Sequence, residues 1–207
     1  MTTFYLTVIH RPEMVPEYLQ KKAAEGKAED LARSEVISES LDIFRTQQRI
    51  AHENGLRTTI QMTYASLFND ETVSLAREHH AKYGDEIGST FLGLQCAQFR
   101  EKFASKELAI WLFSMADKRR IVDEVFGKFR EVFGFLPTST GSYYMDAELV
   151  NYIKERYPMV KAAVATCWEE GPKAYHNANN SWYTLLDGGP WNPWIPSKRN
   201  IHCPASD

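Results

Sequence analysis

The stretch Gly84-Asp85-Glu86-Ile87-Gly88-Ser89-Thr90 decides the fold that this sequence predicts. The residues before it have the spacing of an amphipathic helix, and Gly84 stands where helices commonly end in the left-handed conformation. Glu86 to Leu92 then predicts a strand. A helix that ends at a glycine and leads at once into a strand is typical of a repeating β/α architecture.

Strands and helices alternate through most of the chain on both sides of this stretch. Short β-rich runs predict strands at 4–9, 57–64, 86–92, 138–144 and 161–168, with a sixth near 182–186. Helical patterns fill the intervals, and Asp70 and Asp146 are the predicted N-caps of two helices. This alternation predicts a parallel sheet with right-handed crossovers, either open or closed into a barrel.

Helical periodicity predicts which faces are buried. Side chains recur at helical spacing in two segments. Before Asn54-Gly55 the stripe consists of Ile37, Leu41, Phe44, Gln48 and Ala51. Before Gly134 it consists of Val122, Val125, Phe126, Phe129 and Phe133. On the helix after Asp70, the spacing predicts that His80 is buried and His79 lies near the edge. Both histidines are interpreted as structural.

Composition excludes several classes of function. The chain has 24 basic and 27 acidic residues and a formal charge of -3, so it offers no field that would gather nucleic acid or anionic lipid. No apolar run is long enough to span a bilayer. Residues 1–9 lack a signal-peptide pattern, which favours the cytoplasm, although a leader removed earlier is compatible with this. The scattered cysteines favour buried thiols.

The segment 168–207 differs from the rest of the chain. It holds four of the five tryptophans and five of the nine prolines, a proline density that excludes long helices. Its tryptophans argue against disorder and leave two interpretations open, a cover over the end of the sheet or a surface on which sugars stack. We expect a single domain over 1–207, with 168–207 irregular.

Four segments in order, 6–12, 84–94, 137–144 and 165–170, resemble those that carry the motifs of the polysaccharide deacetylase superfamily, within the glycoside hydrolase/deacetylase barrels. The chain is similar to divergent bacterial members of that group. The resemblance implies an α/β fold, an irregular parallel barrel of the (β/α)7 type. Fewer strands are predicted than such a barrel needs, so we expect the barrel to be incomplete and the chain to be the N-terminal part of a longer protein. A C-terminal domain or another subunit would then cover an open sheet edge.

The metal-binding residues of that superfamily are replaced in this sequence. By the resemblance, His10 stands at a metal-binding aspartate, and Thr90 and Leu94 stand at two histidine ligands. Ile9 stands at the general-base aspartate, and Gly141 at an arginine of another motif. Such a set cannot hold a divalent ion by the usual motif, so the usual metal-dependent deacetylation is not expected. No cofactor is assigned, and a divalent metal stays open through a different set, His10 and His202 with Glu169.

The resemblance implies a carbohydrate-active hydrolase, deacetylase-like or glycosidase-like, with its site at the carboxyl ends of the strands. Its candidate catalytic residues are Glu169 and Glu170, because glycosidases use paired carboxylates, and His10, because it follows a strand at the expected active face. The candidate substrate-binding residues are aromatic: Tyr143, Tyr144, Trp168, Trp182, Trp191 and Trp194. The partner expected is a carbohydrate. The alternatives are a non-catalytic carbohydrate-binding or scaffold domain, and a barrel enzyme for non-sugar substrates.

Overall fold

The computed structural model describes residues 8–10, 12, 41–92, 94, 96–103, 107, 109–142, 145–164, 195–199 and 205. The described strands are β1 Val8–His10, β2 Thr58–Met62, β3 Glu86–Ser89, β4 Ser139–Gly141 and β5 Ala162–Val164. The α-helices are α1 Asp42–Glu53, α2 Asp70–Tyr83, α3 Ala97–Lys102, α4 Met115–Phe133 and α5 Ala147–Arg156. Single 3₁₀ turns lie at Ala65–Phe68 and Ile110–Leu112.

All of the described strands pair in parallel, as the alternation of strands and helices predicts. One sheet has the order β1-β2-β3, and a second consists of β4 and β5. The two adjoin where the Phe91 amide donates to the Gly141 carbonyl at 2.8 Å. The expected α/β fold with parallel strands is confirmed. Within the described residues these strands form no closed barrel, and the incomplete (β/α)7-type barrel stays a prediction. The outer strands remain accessible, since Ile9 on β1 and Val164 on β5 are each 38% exposed.

The observed strands are shorter than the sequence patterns predict, because their ends turn into other local structure. After β2, the Thr63 hydroxyl accepts from the Ser66 amide at 3.1 Å, and the chain enters a 3₁₀ turn. After β3, Phe91 leaves the sheet and its side chain enters the core. The predicted extensions at 4–7 and 165–168 and the predicted strand at 182–186 lie outside the described residues.

The helix ends follow from a few residues. Gly84 and Gly134 end α2 and α4 in the left-handed region, with φ of 73° and 83°. Asp146 caps α5, as predicted, by accepting from the Leu149 amide at 2.9 Å. The predicted cap of α2 is wrong by one position: Asn69, not Asp70, accepts from the Thr72 amide at 2.8 Å. Asp70 is instead the first helical residue.

The core lies between the helices and one face of the sheet. Ile60 and Ile87 contribute from β2 and β3, and α4 contributes the predicted apolar stripe. The rings of Phe91 and Phe126 stack there at 5.7 Å. Among the described helices, none combines the length and the apolar character needed to cross a membrane.

The faces of α2 differ from the prediction. His79 is buried at 9% exposure, whereas His80 is exposed. The helix turns Thr72, Leu75 and Ala76 toward the core, and His79 continues that face. The prediction that His80 is the buried histidine is therefore wrong.

Candidate functional site

The two faces of the sheet have different surroundings. Residues in register on parallel strands share a face, so His10, Ile60 and Ile87 form one row. This row faces the helices, since the His10 Nδ1 atom lies 3.2 Å from Gln48 Oε1 on α1. The opposite row contains Ile9, which is exposed, and Thr59, which is half-buried, and the same face carries the buried residues Gln61 and Gly88. We refer to this second face as the open face.

The carboxyl ends of four strands meet at one edge. The Thr90 amide donates to the Met62 carbonyl at 2.9 Å, which joins the ends of β2 and β3. The Ser142 amide donates to the Val164 carbonyl at 2.9 Å, which joins the ends of β4 and β5. In parallel α/β proteins this edge carries the active site. We refer to it as the carboxyl edge.

On the open face, Gln61 crosses from β2 to β4. It lies in register with Gly88 of β3, and its amide donates to the Thr140 carbonyl at 3.4 Å. A Cβ atom at Gly141 would lie 3.0 Å from Gln61 Oε1. A Cβ at Gly88 would lie 2.4 Å from the Ser139 hydroxyl. Glycine at position 88 therefore leaves room for the Ser139 side chain, and glycine at position 141 leaves room for Gln61.

A carboxylate also lies on this face, at the opposite end of β3. Glu86 accepts from the Thr59 hydroxyl at 3.2 Å and from the Thr138 hydroxyl at 2.6 Å. These two bonds fix both of its oxygens. Because Glu86 begins β3, it lies away from the carboxyl edge and is not grouped with the predicted catalytic glutamates.

Three hydroxyl groups near the carboxyl edge are buried without a hydrogen-bond partner among the described residues. They belong to Ser89, Thr140 and Ser142. A buried hydroxyl without a partner costs about 1–3 kcal/mol relative to a satisfied one. Such departures from full polar satisfaction commonly mark functional regions.

One of the predicted catalytic residues, His10, lies within the described part of the chain. His10 ends β1, as the resemblance implies, but its ring contacts Gln48 on the helix-facing side of the sheet. Its catalytic role stays a prediction. The other predicted site residues lie outside the described residues: Glu169, Glu170, Tyr143, Tyr144, Trp168, Trp182, Trp191, Trp194 and His202.

The two positions at which the resemblance implies histidine ligands, Thr90 and Leu94, lie within the described residues, and both side chains have structural contacts here. The Thr90 hydroxyl donates to the Gly141 carbonyl at 3.0 Å. Leu94 is 1% exposed and belongs to the apolar core. These residues bind the strands and the core together at the positions where the resemblance implies histidine ligands.

A second polar cluster lies at the amino end of the sheet, and it was not predicted. It consists of His52 from α1, His79 from α2 and Asp85, which precedes β3; we refer to it as the His-Asp cluster. One ligand atom from each lies within 4.8 Å of the others. His52 Nε2 lies 2.8 Å from Asp85 Oδ2, and His79 Nδ1 lies 3.8 Å from the same oxygen. The second carboxylate oxygen accepts from the Thr58 amide at 2.8 Å.

The environment of the His-Asp cluster disfavours the charged form of His79. Burial, followed by the neighbouring His52 ring, lowers the pKa of His79 below its usual value. Its Nδ1 atom is buried and has no hydrogen-bond partner among the described residues. The cluster opens to a pocket of about 420 Å³ whose lining includes His52, His79 and Tyr83. Two imidazoles and a carboxylate are a donor set suited to a transition metal.

Sequence patterns could not assemble this cluster, because His52 and Asp85 are 33 positions apart. One local signal was present. His79 lies four positions after Leu75 and seven after Thr72, so these residues form a helical face that fits the spacing as well as the face through His80. This second face predicts that His79 is buried.

Comparisons with known proteins identify the fold. No protein-family model matches the sequence, and no curated protein matches it. A crystal structure described as a "putative glycoside hydrolase/deacetylase" from Parabacteroides distasonis is similar, with a TM-score of 0.54 and 16% sequence identity. The similarity covers 97% of this chain, which spans only 41% of the other. At this identity the likeness concerns architecture alone, and the chain thus has an α/β fold that matches part of a glycoside hydrolase/deacetylase-like structure.

Proposed function

We propose that this chain is a carbohydrate-active hydrolase domain whose site lies at the carboxyl edge. The observation that carries the proposal is the position of two strand ends. The Ser142 amide and the Val164 carbonyl are 2.9 Å apart. Tyr143 and Tyr144 follow directly after the first, and Trp168, Glu169 and Glu170 follow soon after the second. Two segments with candidate binding and catalytic residues thus start from neighbouring points.

The chemistry proposed at this edge is hydrolysis assisted by a carboxyl group. Glu169 or Glu170 would protonate the leaving oxygen or activate water, and the aromatic rings would stack on the sugar. Neighbouring residues on an extended strand point to opposite faces, so only one of the two glutamates is expected to reach the substrate. The fold likeness to a glycoside hydrolase/deacetylase-like structure supports this class of substrate.

A specific observation favours the second candidate, a carbohydrate-binding domain without catalysis. By the resemblance, Thr90 and Leu94 stand at metal-binding positions of the superfamily. Here the Thr90 hydroxyl bonds a backbone carbonyl, and Leu94 packs in the core. A domain that kept the sheet and the aromatic residues while using those positions structurally would bind sugars and not turn them over.

Glu169→Gln and Glu170→Gln distinguish the two candidates. The intact chain would be screened for glycan binding, then assayed for deacetylation and glycosidic cleavage of the glycans that bind. For an enzyme, we expect one of the substitutions to lower turnover by at least about 100-fold, with binding retained. Glu155→Gln is the matched control, since Glu155 is exposed on α5. Binding without turnover in the unmodified chain would favour the binding domain, and absence of both would contradict the proposal.

A further inference from the structure

We propose that the His-Asp cluster is a zinc site, with His52, His79 and Asp85 as protein ligands and water as the fourth. This site lies at the amino end of the sheet and is independent of the proposed hydrolase site. Its three donors come from the last turn of α1, the buried face of α2 and the residue that precedes β3. Two imidazoles and one carboxylate, with an open position, form a common zinc coordination set.

The first argument is charge. Asp85 is fully buried, and its ion-pair partners among the described residues are the two histidines. It also lies beside the carboxyl ends of α1 and α2, where the helix dipoles are negative. A buried carboxylate in such a position requires a positive partner. A divalent cation between Asp85 and the two rings supplies it.

The second argument is the geometry of His79. Its Nδ1 atom lies 3.8 Å from Asp85 Oδ2, too far for a hydrogen bond, and it has no other partner among the described residues. Two ligands of a tetrahedral zinc ion lie roughly 3.3 Å apart, given bonds of about 2.0–2.1 Å. The two distances to Asp85 Oδ2, 2.8 Å and 3.8 Å, bracket this value. A hydrogen-bonded His52–Asp85 pair alone would leave His79 unexplained.

The third argument is that the ligands are held in position. The Thr58 amide fixes the second oxygen of Asp85 at 2.8 Å. The ring of His52 stacks on Tyr83 with centroids 3.7 Å apart. Interactions of this kind orient metal ligands and strengthen binding.

The pocket beside the cluster provides an approach for the ion. Its lining contains Glu53 and Glu78 together with Arg45 and Arg49. Both arginines are engaged by carboxylates, Arg45 with Glu71 at 2.7 Å and Arg49 with Glu53 at 2.9 Å. Their charges are therefore compensated locally, and the pocket leads a cation to the fourth coordination position.

Zinc titration of the full chain, stripped with a chelator, tests the proposal. We expect one zinc ion per chain, and at least about tenfold weaker binding in His79→Gln and in His52→Gln. His202→Gln is the matched control, because it removes an imidazole from the other metal set that the sequence leaves open, His10 and His202 with Glu169, and none from the His-Asp cluster. Circular dichroism verifies that each variant is folded.

X-ray absorption on the zinc-loaded, unmodified chain tests the ligand types even if a ligand variant does not fold, and loss of binding in His202→Gln would assign the zinc to the other two-histidine set. Two imidazole nitrogens with oxygen ligands and no sulfur are expected. Failure of the unmodified chain to bind zinc, sulfur in the coordination shell, unchanged affinity in both ligand variants, or an equal loss in His202→Gln would each overturn the proposal.

Discussion

The buried carboxylate at the amino end of the parallel sheet and three buried hydroxyls at its carboxyl end differ in their hydrogen bonding. At the amino end, Asp85 accepts from the Thr58 amide and contacts His52, so both carboxylate oxygens are engaged. At the carboxyl end, the hydroxyls of Ser89, Thr140 and Ser142 are buried without partners among the described residues. The bonds of Asp85 connect the amino end, whereas these three hydroxyls add no side-chain bond at the carboxyl end. The amino end also has buried polar atoms without partners among the described residues, His79 Nδ1 and the Ser139 hydroxyl.

This contrast is typical of proteins in which function costs stability. A buried polar group that is fully hydrogen-bonded holds its neighbours in place, and one that is not lowers the free energy of unfolding. In parallel α/β folds, the carboxyl ends of the strands carry chemistry and the amino ends carry stability. The His-Asp cluster extends this pattern, because a bound zinc ion would connect α1, α2 and β3 at the stable end.

The largest effect is expected from Asp85→Ala in metal-free protein. The substitution leaves the Thr58 amide and the His52 ring without their acceptor, so the free energy of unfolding should fall by about 2–5 kcal/mol. Urea denaturation measures it. Glu53→Ala is the control, since its ion pair with Arg49 is exposed, and it should cost less than about 1 kcal/mol. Equal losses of stability in the two variants would contradict the prediction that the buried contacts of Asp85 contribute more than an exposed ion pair.

A smaller loss is expected from Gly88→Ala on the open face. The new Cβ would lie 2.4 Å from the Ser139 hydroxyl and 3.2 Å from the Ser139 carbonyl oxygen. Overpacking of this kind costs about 1–3 kcal/mol. Gly127→Ala is the matched control: this glycine lies within α4, and a Cβ atom added to it would meet no neighbouring atom within 4 Å, so the substitution should stabilise the protein by about 0.5–1 kcal/mol.

The double substitution Gly88→Ala, Ser139→Ala sharpens this test. Removing the hydroxyl relieves the closer contact but leaves the backbone contact, so only part of the lost stability should return. Full recovery of stability would show that only the Ser139 side chain excludes alanine at position 88. No recovery would show that the backbone of β4 excludes it.

The sequence predicts the parts of this fold that depend on local chemistry. Phe44 and Ala51 mark the buried face of α1, Gly84 ends α2, and Asp146 caps α5, because each acts within one or two helical turns. The parallel pairing also follows from the alternation of elements. Strand lengths do not, because they depend on where residues such as Phe91 leave the sheet to enter the core.

The site was less predictable because it depends on contacts between distant segments. Gln61 reaches the Thr140 carbonyl across 79 positions, and nothing in either local pattern indicates this contact. Likewise, His79 gains its meaning only when α2 places it beside His52 and Asp85. The motif resemblance correctly indicated a strand at Glu86, yet it gave no information about the polar cluster that precedes that strand.

The smallest effects are expected at the carboxyl end. Thr140→Val and Ser142→Ala remove hydroxyls that have no partner among the described residues, so stability should stay within about 1 kcal/mol or rise slightly. Thr58→Val at the amino end is the matched control: its hydroxyl donates to Gln48 at 2.9 Å, and its loss should cost about 0.5–1.5 kcal/mol. If the carboxyl-end substitutions proved as costly as Thr58→Val, those hydroxyls would hold the fold together, and the contrast between the two ends would fail.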